Sequence, residues 1–239
     1  MPRLIGSGQA KASRAQIILA LDVDTLQEAK DFVDKLYPKI KIFKVGSYLF
    51  TAYGPQIIEL LHKKGAEVFL DLKYFDIPNT VAGAVAAATR LKVKMLTLHI
   101  SGGKEMLIAA RKAANVQAQA LKYPRPLLIG VTVLTSQKTK PQEVLRLAKQ
   151  AIACGLDGVV CSVKEAAVLR RKIKNNFVMV TPGIRPDSLC QDDQQRTASV
   201  SLAVKVGSDF LVIGRPILKA LDPLAQSERL LEELIVAEN

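Results

Sequence analysis

Eight short apolar, β-rich runs recur along the chain with longer, helically patterned segments between them, and this alternation restricts the fold more than any other feature. The runs are IILALDV (17–23), IKIFKVG (40–46), EVFLDLK (67–73), KMLTLHI (94–100), PLLIGVTVL (126–134), DGVVCS (157–162), FVMVTPG (177–183) and DFLVIGR (209–215). Segments such as TLQEAKDFVDKLY, GPQIIELLHKKG, PNTVAGAVAAATRL and PQEVLRLAKQAIACG separate them, with apolar residues at helical spacing. Several runs are apolar almost throughout, as strands buried on both faces must be. Strand-then-helix units repeated in this way over 239 residues predict an α/β fold, a single-domain (β/α)8 TIM barrel spanning 1–239 with 1–15 as an N-terminal extension. An open doubly wound sheet is the alternative, disfavoured because the first strand–helix turn, DVDTLQEA, has no glycine-rich phosphate loop.

Composition agrees with one buried core. The chain is 49% hydrophobic, and Pro and Gly fall singly between periodic segments, so no interdomain seam stands out. A net charge of +12 raises nucleic acid, an anionic membrane surface or an anionic small substrate as partners. The basic residues are scattered, at Lys39 and Lys41, Lys63 and Lys64, Lys92 and Lys94, and Arg170 to Lys174. Aromatics are only 5% of the chain and are not interleaved with them, which argues against a nucleic-acid partner. Most of this charge reads as solvated helix faces, with weak steering of an anionic ligand as a side effect. Cys154, Cys161 and Cys190 are odd in number and lack metal or redox spacing, which suits a reducing cytosol. The opening MPRLIGSGQAKASRAQ has no apolar core long enough for a signal peptide, and no run reaches membrane-spanning length. A cytoplasmic protein with no membrane partner is expected.

In a barrel, functional groups gather at the C-terminal ends of the strands, and polar residues stand there in this sequence. Asp22 closes the first run, Lys44 the second, Asp71 and Lys73 the third and His99 the fourth, while Thr135 follows the fifth. Asp71 and Lys73 are two residues apart and so share a strand face; Ile40, Ile42 and Lys44 form the expected inward set of the neighbouring strand. Two ammonium groups and a carboxylate thus crowd one apolar barrel mouth, where burial costs several kcal/mol per ion unless they pair. A salt-bridge network closing the barrel is one outcome; a cluster of perturbed, catalytic groups is the other. The last two runs end in TPGIR and VIGRP. Gly183 and Gly214 let backbone N–H groups approach a phosphate, and Arg185 and Arg215 supply charged forks for it, in the loops that usually bind phosphate on this fold. The polar, aperiodic stretch IRPDSLCQDDQQR (184–196) is long enough for a gripping loop.

At DLKYFDIPNT (71–80) the sequence resembles the orotidine 5′-monophosphate decarboxylase family. The resemblance continues through LALDV, FKVG, TLHISGG, GVTVLTS, TPGIRP, DDQQR and VIGRP, in the family's order. It implies cofactor-independent decarboxylation of orotidine 5′-monophosphate to UMP, with no metal. By the same resemblance Lys73 would be the proton donor at the carbon that loses CO2, in an alternating array of Lys44, Asp71 and Lys73 completed by Asp76. Asp76, Ile77 and Thr80 would enter the partner subunit's site, so a homodimer is implied. Asp22 and Lys44 would hold the ribose hydroxyls, and Thr135 or Ser136 with Pro182 would line the pyrimidine pocket. Gln194, with Gln195 the alternative, would bridge base and phosphate, and Arg185, Gly214 and Arg215 would grip the phosphate.

Two rivals come from the residues themselves. A metal-assisted sugar-phosphate enzyme on the same barrel would want paired histidines with carboxylates. The chain has two histidines, and His62 sits near the end of a helical pattern, where interaction with the helix dipole is the simpler expectation. His99 is open to either a ligand role or a hydrogen-bonded place at a strand end. A nucleic-acid-binding protein would be retained on DNA or RNA with steep salt dependence. The cysteines and the Leu-rich 228–236 read as packing residues.

Overall fold

The structure, a computed structural model, describes residues 15–134, 139–186 and 198–238. Strands and helices alternate in the order β1 (Gln16–Ala20), α1 (Leu26–Leu36), β2 (Ile42–Gly46), α2 (Ser47–Tyr53), α3 (Pro55–Lys64), β3 (Glu67–Tyr74), α4 (Pro78–Arg90) and β4 (Met95–His99). They continue with α5 (Gly103–Leu121), β5 (Leu127–Val131), α6 (Pro141–Ala153), β6 (Gly158–Val160), α7 (Val163–Lys172), β7 (Val178–Pro182), β8 (Ile184–Arg185) and β9 (Ala198–Ser199). The remaining elements are α8 (Val200–Lys205), β10 (Phe210–Ile213), α9 (Arg215–Leu218) and α10 (Pro223–Glu238).

Eight of the strands close into a barrel in the order β1-β10-β7-β6-β5-β4-β3-β2, and every neighbouring pair is parallel. Their C-terminal ends therefore open on one face, as the alternating runs predict. β8 and β9 stand outside the barrel as a two-stranded ribbon that pairs Ile184 with Ala198 and Arg185 with Ser199. The helices are started by local chemistry. Thr25 Oγ1 accepts the Glu28 N–H (3.1 Å), and the Glu28 carboxylate accepts the Thr25 N–H (3.0 Å), a reciprocal cap on α1. α3, α4 and α6 instead begin with proline, whose missing N–H has no helical partner to lose there.

The core has two layers. Ile18, Ile42, Phe69, Met95, Ile129 and Val180 point inward and fill the barrel. The opposite strand faces pack under the helices, where α1 contributes Ala29, Val33 and Leu36. Ile40 belongs to this outer layer and not to the inward set expected for it. It precedes β2, and its N–H closes the turn after α1 on the Leu36 carbonyl (3.0 Å).

At the N-terminal face, two aspartates tie neighbouring strands together. Asp157, just before β6, accepts the Leu128 N–H of β5 (2.8 Å) and two bonds from Arg125 (2.5 and 2.6 Å), with Arg111 at 3.2 Å. Asp209, just before β10, accepts the Met179 N–H of β7 (2.6 Å) and is paired with Arg170 (2.5 Å).

Candidate active site

β3 carries the centre of the site. Val68 and Leu70 pack in the outer layer and Phe69 in the inner one, so strand alternation points Asp71 into the barrel mouth. Its carboxylate is buried, with the residue 9% exposed. The strand then leaves regular register: Leu70 pairs with Leu96 of β4 and Tyr74 with Leu98. Asp71, Leu72 and Lys73 consequently stand opposite Thr97 alone, a β-bulge. Lys73 takes the left-handed conformation within it, φ +52°. For a residue with a side chain this costs about 1–3 kcal/mol and persists only where the surroundings enforce it.

Four charged side chains of alternating sign run across the mouth. Lys73 Nζ lies 2.9 Å from Asp71 Oδ2, Lys44 Nζ lies 3.7 Å from the same oxygen, and Lys44 Nζ reaches Asp22 Oδ1 at 3.1 Å. The inner members are the most buried. The side chains of Lys44 and Asp71 are each 12% exposed, that of Lys73 36% and that of Asp22 62%. Desolvation of the inner pair is offset because each ion faces an opposite charge and Asp71 also accepts the Thr97 hydroxyl (2.9 Å). Gly46 preserves the space: a Cβ there would lie 3.2 Å from Lys44 Nζ. A cavity of about 370 Å³ opens beside the array, lined by Asp22, Lys44, Ser47, Tyr48, Asp71 and Lys73 among others, within the size range of small-ligand sites.

His99 ends β4 beside this array, its ring edge-on to Phe75 with centroids 5.7 Å apart. Burial first, and the Lys73 charge second, push its pKa below the usual histidine value, while the more weakly felt Asp71 pulls it up. His62 lies in the last turn of α3, but burial and Lys92 lower its pKa. Its place in that last turn is the one expected from the sequence.

The glycine–arginine pairs lie on the same face of the barrel. Gly214 follows β10 and turns the chain into α9, whose first residue is Arg215. A Cβ on Gly214 would lie 3.5 Å from Asp22 Oδ2, which sets this turn against the outer end of the charged array. Pro182 ends β7, Gly183 turns with φ +77°, and Arg185 enters the ribbon through β8. β7 and β10 are neighbours in the barrel.

Asp76, Ile77 and Thr80 do not line the cavity beside the array; all three are exposed, and the Asp76 carboxylate accepts the Ile77 N–H (2.6 Å). Phe75 and Ile77, 62% and 66% exposed, make this stretch apolar as well as acidic. Thr135, Ser136, Gln194, Gln195 and Cys190 lie outside the described residues. Thr97 is the residue that the sequence reading missed. Its one signal is a hydroxyl amid apolar neighbours, two positions before His99 and thus on the same strand face. Among the described residues no three His, Cys, Asp or Glu side chains are grouped so as to hold a metal ion, and no helix is long and apolar enough to cross a membrane.

Known proteins share both the sequence and this architecture. Residues 15–230 match the model of the Orotidine 5'-phosphate decarboxylase / HUMPS family. An orotidine 5'-phosphate decarboxylase of Coxiella burnetii is 46% identical over 224 residues, covering 89% of this chain and 94% of the relative. One from Vibrio cholerae is 47% identical over 230 residues, covering 92% and 96%. The crystal structure of orotidine 5'-phosphate decarboxylase from Lactobacillus acidophilus superposes with a TM-score of 0.81 at 35% identity, over 92% of this chain and 99% of that one. With a barrel, a charged mouth and a near full-length match in agreement, the chain belongs to the Orotidine 5'-phosphate decarboxylase / HUMPS family.

Proposed function

We propose that this chain decarboxylates orotidine 5′-monophosphate to UMP and CO2 without a cofactor, the final step of UMP synthesis. The observation that carries the reading is the Lys44–Asp71–Lys73 array at the mouth of an apolar barrel. Loss of CO2 leaves an electron pair in the plane of the pyrimidine ring, where the π-system cannot delocalise it. Stabilisation must therefore be electrostatic, by groups fixed before the reaction begins. The Lys73 ammonium, held at 2.9 Å from Asp71 and backed by Lys44, is such a group. It faces the developing carbanion and then gives it a proton, forming the C–H bond and becoming a neutral amine. Asp71 holds that ammonium and lies beside the position of the leaving carboxylate.

The other assignments follow the family resemblance. Asp22 and Lys44 take the ribose hydroxyls, a role supported by their mutual hydrogen bond at 3.1 Å beside the cavity. Arg215 and Gly214, with Arg185 from the adjacent strand end, take the phosphate, and Pro182 borders the base. Thr135 or Ser136 and Gln194 or Gln195 would complete the base and phosphate contacts on the family pattern. The phosphate is remote from the reacting carbon. Its binding energy positions the ring, so a substrate lacking it loses kcat as well as affinity. Asp76, Ile77 and Thr80 serve the site of a second copy of the chain, an assignment supported by their exposure around apolar Phe75.

The test is the ultraviolet absorbance change of orotidine 5′-monophosphate on incubation with the protein. Turnover that persists in EDTA and falls roughly 1,000-fold or more in Lys73→Ala is the expected result. Near-normal kcat in Lys73→Ala would remove the proposed role of that residue. Loss of turnover in EDTA would overturn the metal-free reading.

A further inference from the structure

The bulge in β3 raises a question that the charged array does not answer: what holds Lys73 in a conformation its side chain disfavours? Regular pairing with β4 would satisfy its backbone N–H with a carbonyl, but the register shift between Leu70 and Tyr74 breaks that ladder. The N–H goes instead to the Thr97 hydroxyl oxygen, at 2.9 Å. Thr97 is fully buried, and the same oxygen lies 2.9 Å from Asp71 Oδ1. A hydroxyl has one proton to give. The Lys73 N–H can only donate, so it takes a lone pair and leaves the hydroxyl proton for Asp71. The carboxylate is thereby divided: Oδ1 accepts from Thr97, while Oδ2 faces the ammonium groups of Lys73 at 2.9 Å and Lys44 at 3.7 Å.

We infer that Thr97 is a positioning residue, whose single hydroxyl fixes both the backbone turn that aims Lys73 and the orientation of the Asp71 carboxylate that pairs with it. This inference rests on the decarboxylase reading and deepens it. Thr97 does not line the cavity; it acts through Asp71 and Lys73, which do. Each of its two bonds would be ordinary alone. Joined at one atom, they couple the φ angle of Lys73 to the rotamer of Asp71, so losing the hydroxyl loosens both ends of the ion pair.

Thr97→Val keeps the shape and removes the hydroxyl, and Thr97→Ser keeps the hydroxyl and removes the methyl. Steady-state turnover of orotidine 5′-monophosphate and the Kd of UMP are measured for wild type and both variants. The valine variant is expected to lose roughly 10–100-fold in kcat, the scale set by misplacing a reacting group by a fraction of an ångström to an ångström. Its UMP Kd should stay within about threefold, since the ribose and phosphate groups are untouched, and serine should recover most of kcat. Valine with wild-type kcat, or a serine variant as impaired as valine, would overturn the inference. If the valine variant does not fold, Thr97→Ala poses the same question with a smaller side chain and the same expected outcome. Failure of the decarboxylase reading looks different, because wild type itself would then leave orotidine 5′-monophosphate unchanged.

Discussion

Lys73 can act only if its surroundings favour the ammonium without adding a competing cation. His99 is the group that could add one, since it stands beside Lys73 and Asp71 at the end of β4. Burial and the lysine charge both oppose protonation of its ring, so near neutral pH His99 is an uncharged spacer against Phe75. With only two histidines in the chain, both rings can be followed by NMR titration. The His99 pKa is expected below the usual value in wild type and higher in Lys73→Ala, because the repelling charge has gone while burial remains. His62, lowered by burial and Lys92, should not respond. A His99 titration unmoved by Lys73→Ala would place the ammonium away from the array. At this scale the sequence is informative wherever a charge interrupts an apolar run, which is why Asp22, Lys44, Asp71 and Lys73 are legible before any coordinates. Thr97 is not, because threonine is an ordinary strand residue and nothing in the apolar pattern encodes the positive φ of Lys73 that makes its hydroxyl matter.

Strands are legible as runs, yet their ends move. The first run, read as 17–23, pairs only through Ala20, and the chain bends beyond it so that Asp22 N–H meets the Ala20 carbonyl at 2.9 Å. The β8–β9 ribbon escapes the pattern altogether, since two-residue strands have no period to detect. Aspartates at the starts of the sixth and eighth runs are visible in DGVVCS and DFLVIGR, but their work is lateral, binding the start of one strand to its neighbour in the barrel. Asp157 is the more heavily partnered. Burial alone would raise its pKa, but bonds from Arg125 and the Leu128 N–H, with the Arg125 and Arg111 charges, outweigh that and hold it below the usual 3.8. A folded-state pKa below the unfolded one means stability that is present above the unfolded value and is lost as pH falls through the folded value. Asp157→Asn is therefore expected to lower unfolding free energy by about 2–3 kcal/mol at neutral pH, since it strands two partly buried arginines. The deficit should shrink below pH 3.8, where wild type begins to lose the same interaction. Denaturant melts across pH would show it; a deficit independent of pH would mean that packing, and not charge, is responsible.

The whole molecule carries +12, an excess of basic side chains that remains after pairs such as Lys30–Asp34 and Lys94–Glu67 have neutralised one another. The fold class was legible because eight strand–helix units leave few topologies. A site divided between two copies, as proposed above, is not legible in this way, because composition and periodicity describe one chain only. What the structure adds is a contrast on one short segment. Lys73 pairs with Asp71 in the mouth, while Asp76, three residues later, is exposed between two exposed apolar side chains, Phe75 and Ile77. If Asp76 completes the array of a second copy, Lys73 and Asp76 of one polypeptide serve different sites. Lys73→Ala and Asp76→Ala should then each be nearly inactive alone. Mixed after dissociation and reassociation, they form hybrids in which one site carries both substitutions and the other carries neither. Random pairing in equal amounts makes half the dimers hybrid, each with one intact site, so activity should return to about a quarter of wild type. Were both residues to serve the same site, every site in every pairing would lack one of them. Mixing would then restore nothing, and the shared-site assignment of Asp76, Ile77 and Thr80 would fall with it.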